Sequence, residues 1–400
     1  MTEKLQDLRA RLQDEIVDIT RKLVRTPSLS GREGDMARLC MEEMERLGYD
    51  TVETDRVGNV LGTIRGRDNN ESRFPILFTG HMDHVETGDS KAFPHPPFDA
   101  VIDNGLIWGR GASDMKGAIA AMIVAGAEIK KQAPLSHDLI VGLTVQEEVG
   151  GLGAKYLCAQ KRFAVAVVGE ASSNDLTHGH RGRVGVKARF SGRSGHASAP
   201  DRSVNPNASA ARFIEKAASL AEAVHPELGA STSVPTAVVT DPCSHNIIPG
   251  LTTVDIDYRF VPGEVPEDIL ERARVLGQSC LESGVKCEVT IPTRKLVTYT
   301  GVRDELPDIM PSLHIPKDHP YVLAAAEALE EMLGRSIPVR AWDFATDGGH
   351  TSNAGIPTFG FGPSEEGRTH TVEDAVSIDM LTEGLAGYIA VARALDHALE

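Results

Sequence analysis

Three short apolar runs constrain this chain most, because each one ends in groups that can ligate a metal. Pro75-Ile-Leu-Phe78 leads into Thr-Gly-His81-Met-Asp83-His84. His137-Asp-Leu-Ile-Val-Gly-Leu-Thr-Val145 leads into Gln146-Glu147-Glu148. Phe163-Ala-Val-Ala-Val-Val-Gly169 leads into Glu170. A short apolar run closed by turn residues reads as a buried strand. Strands buried on both faces belong to mostly parallel sheets under helices, and open α/β sheets carry their sites at the carboxyl ends of such strands. Three strands that deliver acids and histidine at one end imply a single cluster. Bare clustered carboxylates raise one another's pKa; a bound divalent cation removes that repulsion.

The rest of the chain is organised around these runs. Residues 1–25 carry Leu5, Leu8, Leu12, Ile16, Ile19 and Leu23 at helical spacing on a charged background, an amphipathic helix rather than a signal peptide. A turn cluster, Thr26-Pro-Ser-Leu-Ser-Gly31, precedes a helix over 33–47. Trp108-Gly-Arg-Gly-Ala-Ser-Asp114-Met-Lys-Gly117 opens into an all-apolar run, a helix packed on both sides. Asp114 stands where a helix cap would, and a carboxylate has oxygens enough to cap and to ligate.

Near Arg181 the pattern changes. Val184, Val186, Ala188 and Phe190 alternate with polar residues, as do Val254, Ile256, Tyr258 and Phe260, which marks strands with one wet face. Helices over 207–224 and from Pro266, with strands at 236–240 and around Val289, complete the order β-α-β-β-α-β, a ferredoxin-like unit. Helices at 321–333 and 380–399 and a strand at 357–361 return to α/β character, with His370 between the last two. The expected fold is a doubly wound α/β mixed sheet, residues 1–180 and 295–400, interrupted by an inserted α+β domain, residues 181–294.

The net charge of −16 argues against a nucleic-acid or anionic membrane partner. Five scattered cysteines without a CxxC pair fit a reduced, cytoplasmic protein. No apolar stretch reaches the length of a membrane span.

His81, Asp114, Glu148, Glu170 and His370 are nitrogen and oxygen donors without a thiolate. That set suits zinc first, then cobalt or manganese. A catalytic zinc takes about three protein ligands plus water. Five donors therefore fit two ions sharing one carboxylate, with Asp114 expected in the shared place. Two such ions can hold one hydroxide and polarise one carbonyl. Glu147 and Glu148 are neighbours, so in extended backbone only one points at the metal. Glu148 is expected as the ligand and Glu147 as the general base. Asp83, two residues from His81, is expected to accept the second imidazole N–H and fix its tautomer.

Gly80-His81-Met-Asp83, Gly109-Arg-Gly-Ala-Ser-Asp114-Met-Lys-Gly117, Glu147-Glu148-Val-Gly-Gly151, Ser194-Gly-His196 and Thr369-His370, in that order, resemble the zinc-dependent M20 metallopeptidase family. That family includes acetylornithine deacetylase, succinyl-diaminopimelate desuccinylase, aminoacylase and carboxypeptidases. The resemblance covers nearly the whole chain. It implies His81, Asp114 and Glu170 on one metal, Asp114, Glu148 and His370 on the other, and Glu147 as base. It implies that the insert is a lid through which a homodimer forms. His196 then resembles the lid histidine at the oxyanion. Asn246 and Arg259 resemble the lid residues for the substrate's carbonyl and carboxylate, and Gly348-Gly349 the glycine turn at the substrate pocket. The runs Ala341-Trp-Asp-Phe-Ala-Thr-Asp-Gly-Gly-His350 and Phe359-Gly-Phe-Gly-Pro363 are closer to YgeY-type hydrolases than to the named deacylases.

The expected activity is hydrolysis of the amide of an N-acyl amino acid, a small molecule with a free carboxylate. A dipeptidase or carboxypeptidase of the same family is the alternative. A catalytically silent binding protein on this fold would be marked by a missing base or ligand, and here every one of those residues is present.

Overall fold

The computed structural model describes residues 4–67 and 73–400. Residues 1–3 of the expected N-terminal helix lie outside the described residues. The chain divides into two compact units, one of Met1–His180, Leu296–Asp304 and Leu313–Glu400, the other of Arg181–Lys295 and Glu305–Ser312.

Among the described residues, the first unit carries a nine-stranded sheet. Its strands are β1 Thr51–Thr54, β2 Val60–Ile64, β3 Ile76–His81, β4 Leu139–Thr144, β5 Val165–Val168, β6 Leu176–His180, β7 Leu313–His314, β8 Val339–Ala341 and β9 Thr358–Phe361. They lie in the order β1-β2-β4-β3-β5-β9-β6-β7, with β8 beside β6. The centre is parallel: β3 pairs with β4 and β5, and β5 with β9. The apolar runs read from the sequence are these central strands, and every residue of β3, β4, β5 and β9 is buried.

Alternation along β3 sends Phe78 to one face and Leu77 to the other. Phe78 packs with Ile16, Ile119, Ile123 and Leu385 from the helices Leu5–Val24, Gly117–Gln132 and Ile378–Ala398. Leu77 packs with Ile140, Leu157, Phe163 and Ile356. The helix Gly117–Gln132 is buried from Gly117 to Ile129, as an all-apolar run requires. No helix among the described residues is long and apolar enough to cross a membrane. All five cysteines are free.

The second unit has strands Gly182–Ser191, Thr232–Asp241, Leu251–Phe260 and Lys286–Thr290. Thr232–Asp241 is one edge, followed by Leu251–Phe260, Gly182–Ser191 and Lys286–Thr290, all antiparallel. That is the ferredoxin-like arrangement. Val184, Val186, Ala188, Phe190, Val254, Ile256 and Tyr258 form its core with Phe213 and Ile269 of the two helices. The wet face is a charge ladder: Arg183 meets Asp257 and Asp308 at 2.7 Å each, and Lys187 meets Asp255 at 3.0 Å.

The unit is larger than residues 181–294, because Ile309–Met310 pairs with Gly182–Ser191 and brings 305–312 with it. The expected helix over 207–224 is shorter, an α-helix Asn207–Lys216 followed by a 3-10 turn Ala217–Leu220.

His196 and Asn246 share one end of this unit. His196 pairs with Ile247 in a two-stranded ribbon, and the Ala197 N–H donates to the Asn246 carbonyl. Arg259 is elsewhere. The ribbon end adjoins Leu251, where the Gly192 N–H donates to the Gly250 carbonyl. Arg259 lies at the opposite end of Leu251–Phe260, opposite Arg183. Eight residues of strand span about 26 Å.

Candidate metal centre

The carboxyl ends of the parallel strands set the site. His81 ends β3 and pairs in register with Thr144 at the end of β4; Thr79 pairs with Val168 at the end of β5. Glu147, Glu148 and Glu170 therefore emerge on the edge that carries His81. Asp114 arrives from the turn Ala112–Lys116 ahead of the helix Gly117–Gln132, with extended rather than helical backbone (φ −133°, ψ 88°) and a cis peptide bond to Met115. The N-cap position of that helix is Lys116 rather than Asp114.

The Asp114 carboxylate faces two histidines, one with each oxygen. Its Oδ1 is 2.9 Å from His81 Nε2 and its Oδ2 is 3.0 Å from His370 Nε2. Glu170 Oε1 lies 3.4 Å from His81 Nε2, and Glu148 Oε2 lies 3.1 Å from His370 Nε2. Two triads result, His81–Asp114–Glu170 and Asp114–Glu148–His370, each with ligand atoms within 4.8 Å of one another. A tetrahedral ion with donor bonds of about 2.0–2.1 Å holds its donors about 3.3 Å apart. The donor set and its spacing fit a divalent cation in each triad. The centre is buried at His81, whose side chain is 1% exposed, and open at His370, at 53%.

The electrostatics point the same way. Burial drives Glu170 up to about 7, with the Asp114 charge adding to it. Burial also raises Glu148 and lifts Glu147 well above the usual carboxylate range, where the His81 charge only partly offsets it. At Asp114 burial acts upward too, but hydrogen bonds from His370 and His81 outweigh it and hold the group well below its ordinary value. A set of carboxylates lifted by burial and mutual repulsion is one that bound cations stabilise.

Two expectations differ in their mechanism. The 146–148 segment is not extended: Gln146 is left-handed (φ 59°) and Glu147–Val149 is a 3-10 turn, so a bend rather than strand alternation separates the two glutamates. Glu148 reaches His370, while Glu147 belongs to neither triad. Asp83 also acts differently. Its main-chain oxygen, 2.9 Å from His81 Nδ1, takes the tautomer-fixing hydrogen bond. Its carboxylate, 3.6 Å from that nitrogen, instead accepts the N–H groups of Glu147 (3.1 Å) and Glu148 (3.3 Å) and the Ser30 hydroxyl (2.6 Å). A carboxylate holding two successive amides fixes the backbone that carries both glutamates.

Gly348 and Gly349 open a short helix, Gly348–Asn353, rather than a turn, and both are buried. Gly348 is fitted by close packing, since a Cβ there would meet Leu313, Thr346 and Val168 side chains at 3.0–3.1 Å.

Sequence reasoning missed several supporting groups. Asp347 is buried beside the end of β4, with Oδ2 accepting the Thr144 hydroxyl at 2.7 Å, and burial raises it to about 6. Asp374 accepts from the Arg110 guanidinium, the Gly111 and Ser113 amides and the Ser113 hydroxyl, tying the segment after His370 to the loop that carries Asp114. Glu33, inside the expected helix start, is fully buried. An acid next to glycines was the available signal for Asp347; Asp374 and Glu33 gave none, because their partners are remote in sequence.

The sequence model of "Peptidase family M20/M25/M40" matches residues 77–394. YgeY of Escherichia coli (strain K12), an uncharacterized protein, is 30% identical over 396 residues, covering 97% of this chain and 95% of YgeY. A tripeptidase of Staphylococcus aureus subsp. aureus mu50 shares the fold at TM-score 0.78 and 22% identity, covering 96% of this chain and 99% of that one. YXEP of Bacillus subtilis, a dinuclear metal binding peptidase from the M20 family, shares it at TM-score 0.69 and 16% identity, covering 96% and 98%. The chain thus belongs to peptidase family M20/M25/M40 and is a metal-dependent hydrolase acting on amide or peptide C–N bonds.

Proposed function

We propose that this enzyme hydrolyses the amide bond of a small substrate bearing a free carboxylate, an N-acyl amino acid or a short peptide. The observation that carries the reading is Glu147, a buried carboxyl outside both triads, on the turn that supplies the ligand Glu148. His81, Asp114 and Glu170 would hold one divalent ion, and Asp114, Glu148 and His370 the second, with zinc the best match to a donor set without thiolate. Ions bound there would polarise the substrate carbonyl and lower the pKa of water. Glu147 takes a proton from the attacking water and returns it to the departing nitrogen.

His196 and Asn246 are proposed at the developing oxyanion and the substrate carbonyl, and Arg259 at the substrate carboxylate. His196 and Asn246 share one end of the second unit while Arg259 lies at the other. One such unit cannot bring all three to one small molecule, so the reading requires a homodimer with His196 acting in the partner's site. The edge strand Thr232–Asp241 supports this: it is paired on one side and exposes Val234, Val238 and Val239. Mixed dimers of His196→Ala and Glu147→Ala chains are expected to regain activity, up to about a quarter of the wild-type value if subunits exchange at random. Mixed preparations no more active than either parent would exclude action in trans.

A panel of N-acetyl and N-succinyl amino acids, dipeptides and tripeptides, each beside its carboxamide analogue, tests the substrate class. The expected result is turnover of a carboxylate substrate and at least a tenfold loss in kcat/KM for its amide. Equal turnover of the two forms would remove the free carboxylate from the proposal.

A further inference from the structure

Glu33 occupies the N-cap position of the helix Gly34–Leu47, yet its side chain caps nothing there. It is fully buried, against the Gly31 and Gln146 amides. Its Oε1 accepts the Gly31 N–H at 2.8 Å and the Gln146 N–H at 3.2 Å. Its Oε2 is buried with no hydrogen-bond partner among the described residues. A short Asp, Ser or Asn serves an N-cap better than Glu, so capping does not explain the residue.

Gln146 explains it. Gln146 is the left-handed residue at which the chain leaves β4 and bends into the turn carrying Glu147 and Glu148. Left-handed backbone is unfavourable for a residue with a Cβ, and it persists where surroundings over-determine it. Three contacts do so here. The Gln146 N–H goes to Glu33, its side-chain amide donates to the Val297 carbonyl at 2.9 Å, and its own carbonyl accepts the Gly151 N–H at 2.9 Å. The next two amides, of Glu147 and Glu148, go to Asp83. Two buried carboxylates thus grip three successive N–H groups. Asp83 grips the amides of Glu147 and Glu148, whereas Glu33, besides the Gly31 amide, grips the residue that sets the direction in which Glu147 leaves the strand.

We propose that Glu33 is a positioning residue for the general base: by holding the Gln146 amide it aims the Glu147 carboxyl at the attacking water. The inference rests on Glu147 acting as base, and its test separates the two. Glu33→Ala, Glu147→Gln and the double variant are compared for kcat, KM and bound zinc. Glu33→Ala is expected to lower kcat by about 10–100-fold, the range for groups behind the reacting ones. KM should stay within about twofold and the zinc content should not change. In the Glu147→Gln background the same change is expected to cost less than about threefold, because groups acting as a unit are not additive. Glu33→Gln keeps an acceptor oxygen and is expected to recover most of the loss; Glu33→Met, close in size but without an acceptor, carries the comparison should the alanine variant fail to fold. The proposal is overturned if Glu33→Ala, or failing it Glu33→Met, leaves kcat within twofold of wild type. It is also overturned if the loss is multiplied in full onto Glu147→Gln, or if zinc leaves in proportion to activity. Wild-type kcat in Glu147→Gln alone would instead remove the base itself.

Discussion

Replacing Glu147 with glutamine or alanine is expected to lower kcat by about 10²–10⁴-fold while both metal triads keep their ligands. The size follows from what the residue does and does not touch. Its carboxyl belongs to neither triad, so its removal takes no ligand away. Its backbone is held by Asp83, so the turn survives the substitution and Glu148 stays in place. On the proposed reading, what disappears is the acceptor for the attacking water's proton. Burial and the neighbouring carboxylates lift the group above the ordinary carboxylate range. On that reading the base works only when ionised, so activity is expected to fall on the acid side of its titration in the metal-loaded enzyme, and that limb of the pH–rate profile should vanish in the glutamine variant. Steady-state kinetics with metal analysis check the expectation. A variant with near wild-type kcat would take the role from Glu147.

Asp114→Ala should have the second largest effect, of a different kind. Each Asp114 oxygen faces a different histidine, at 2.9 and 3.0 Å, so one side chain serves both triads. Its loss leaves each triad one donor short and removes the charge that holds His81 and His370 together. Outer-shell partners of metal ligands are worth about 10–100-fold; a shared ligand should exceed that, bringing activity to background without rescue by excess zinc. His370→Ala, which strips a ligand from one triad only, should still retain the ion of the His81 triad. An Asp114→Ala enzyme that binds two ions with wild-type affinity would show that the two triads are not one centre.

Much of this was legible in the sequence because it depends on short-range pattern. Continuous apolar runs read as buried strands, and β3, β4 and β5 are buried throughout. Strict alternation read as half-wet strands, and Val186 to Phe190 is so arranged, while Gly185 is buried with its neighbours. Polar groups immediately after parallel strands must share an edge, which places His81, Glu148 and Glu170 together without further information. What could not be read depends on tertiary contact. The adjacency of Glu147 and Glu148 announced that they would diverge, but extended backbone was the wrong cause; a left-handed Gln146 is invisible to pattern because Gln carries no preference for it. The carboxylate of Asp83 has the same spacing to His81 whether it holds the ring or, as here, the amides beyond it. Asp374 serves a loop 261 residues away in sequence, and Glu33 an amide 113 residues away. No local signal reports such partners. Residues 305–312 joined the second unit by strand pairing, again a contact remote from the expected boundary.

Metal counting against activity tests the central claim most directly. The enzyme is stripped by a chelator, titrated with zinc, and assayed as bound zinc per chain is measured. Shared ligation at Asp114 predicts an inactive apoprotein, activity that reaches its maximum at two zinc ions per chain, and no such recovery in Asp114→Ala. Full turnover by the stripped chain, or a maximum reached at one ion with no second site filled, would contradict the account.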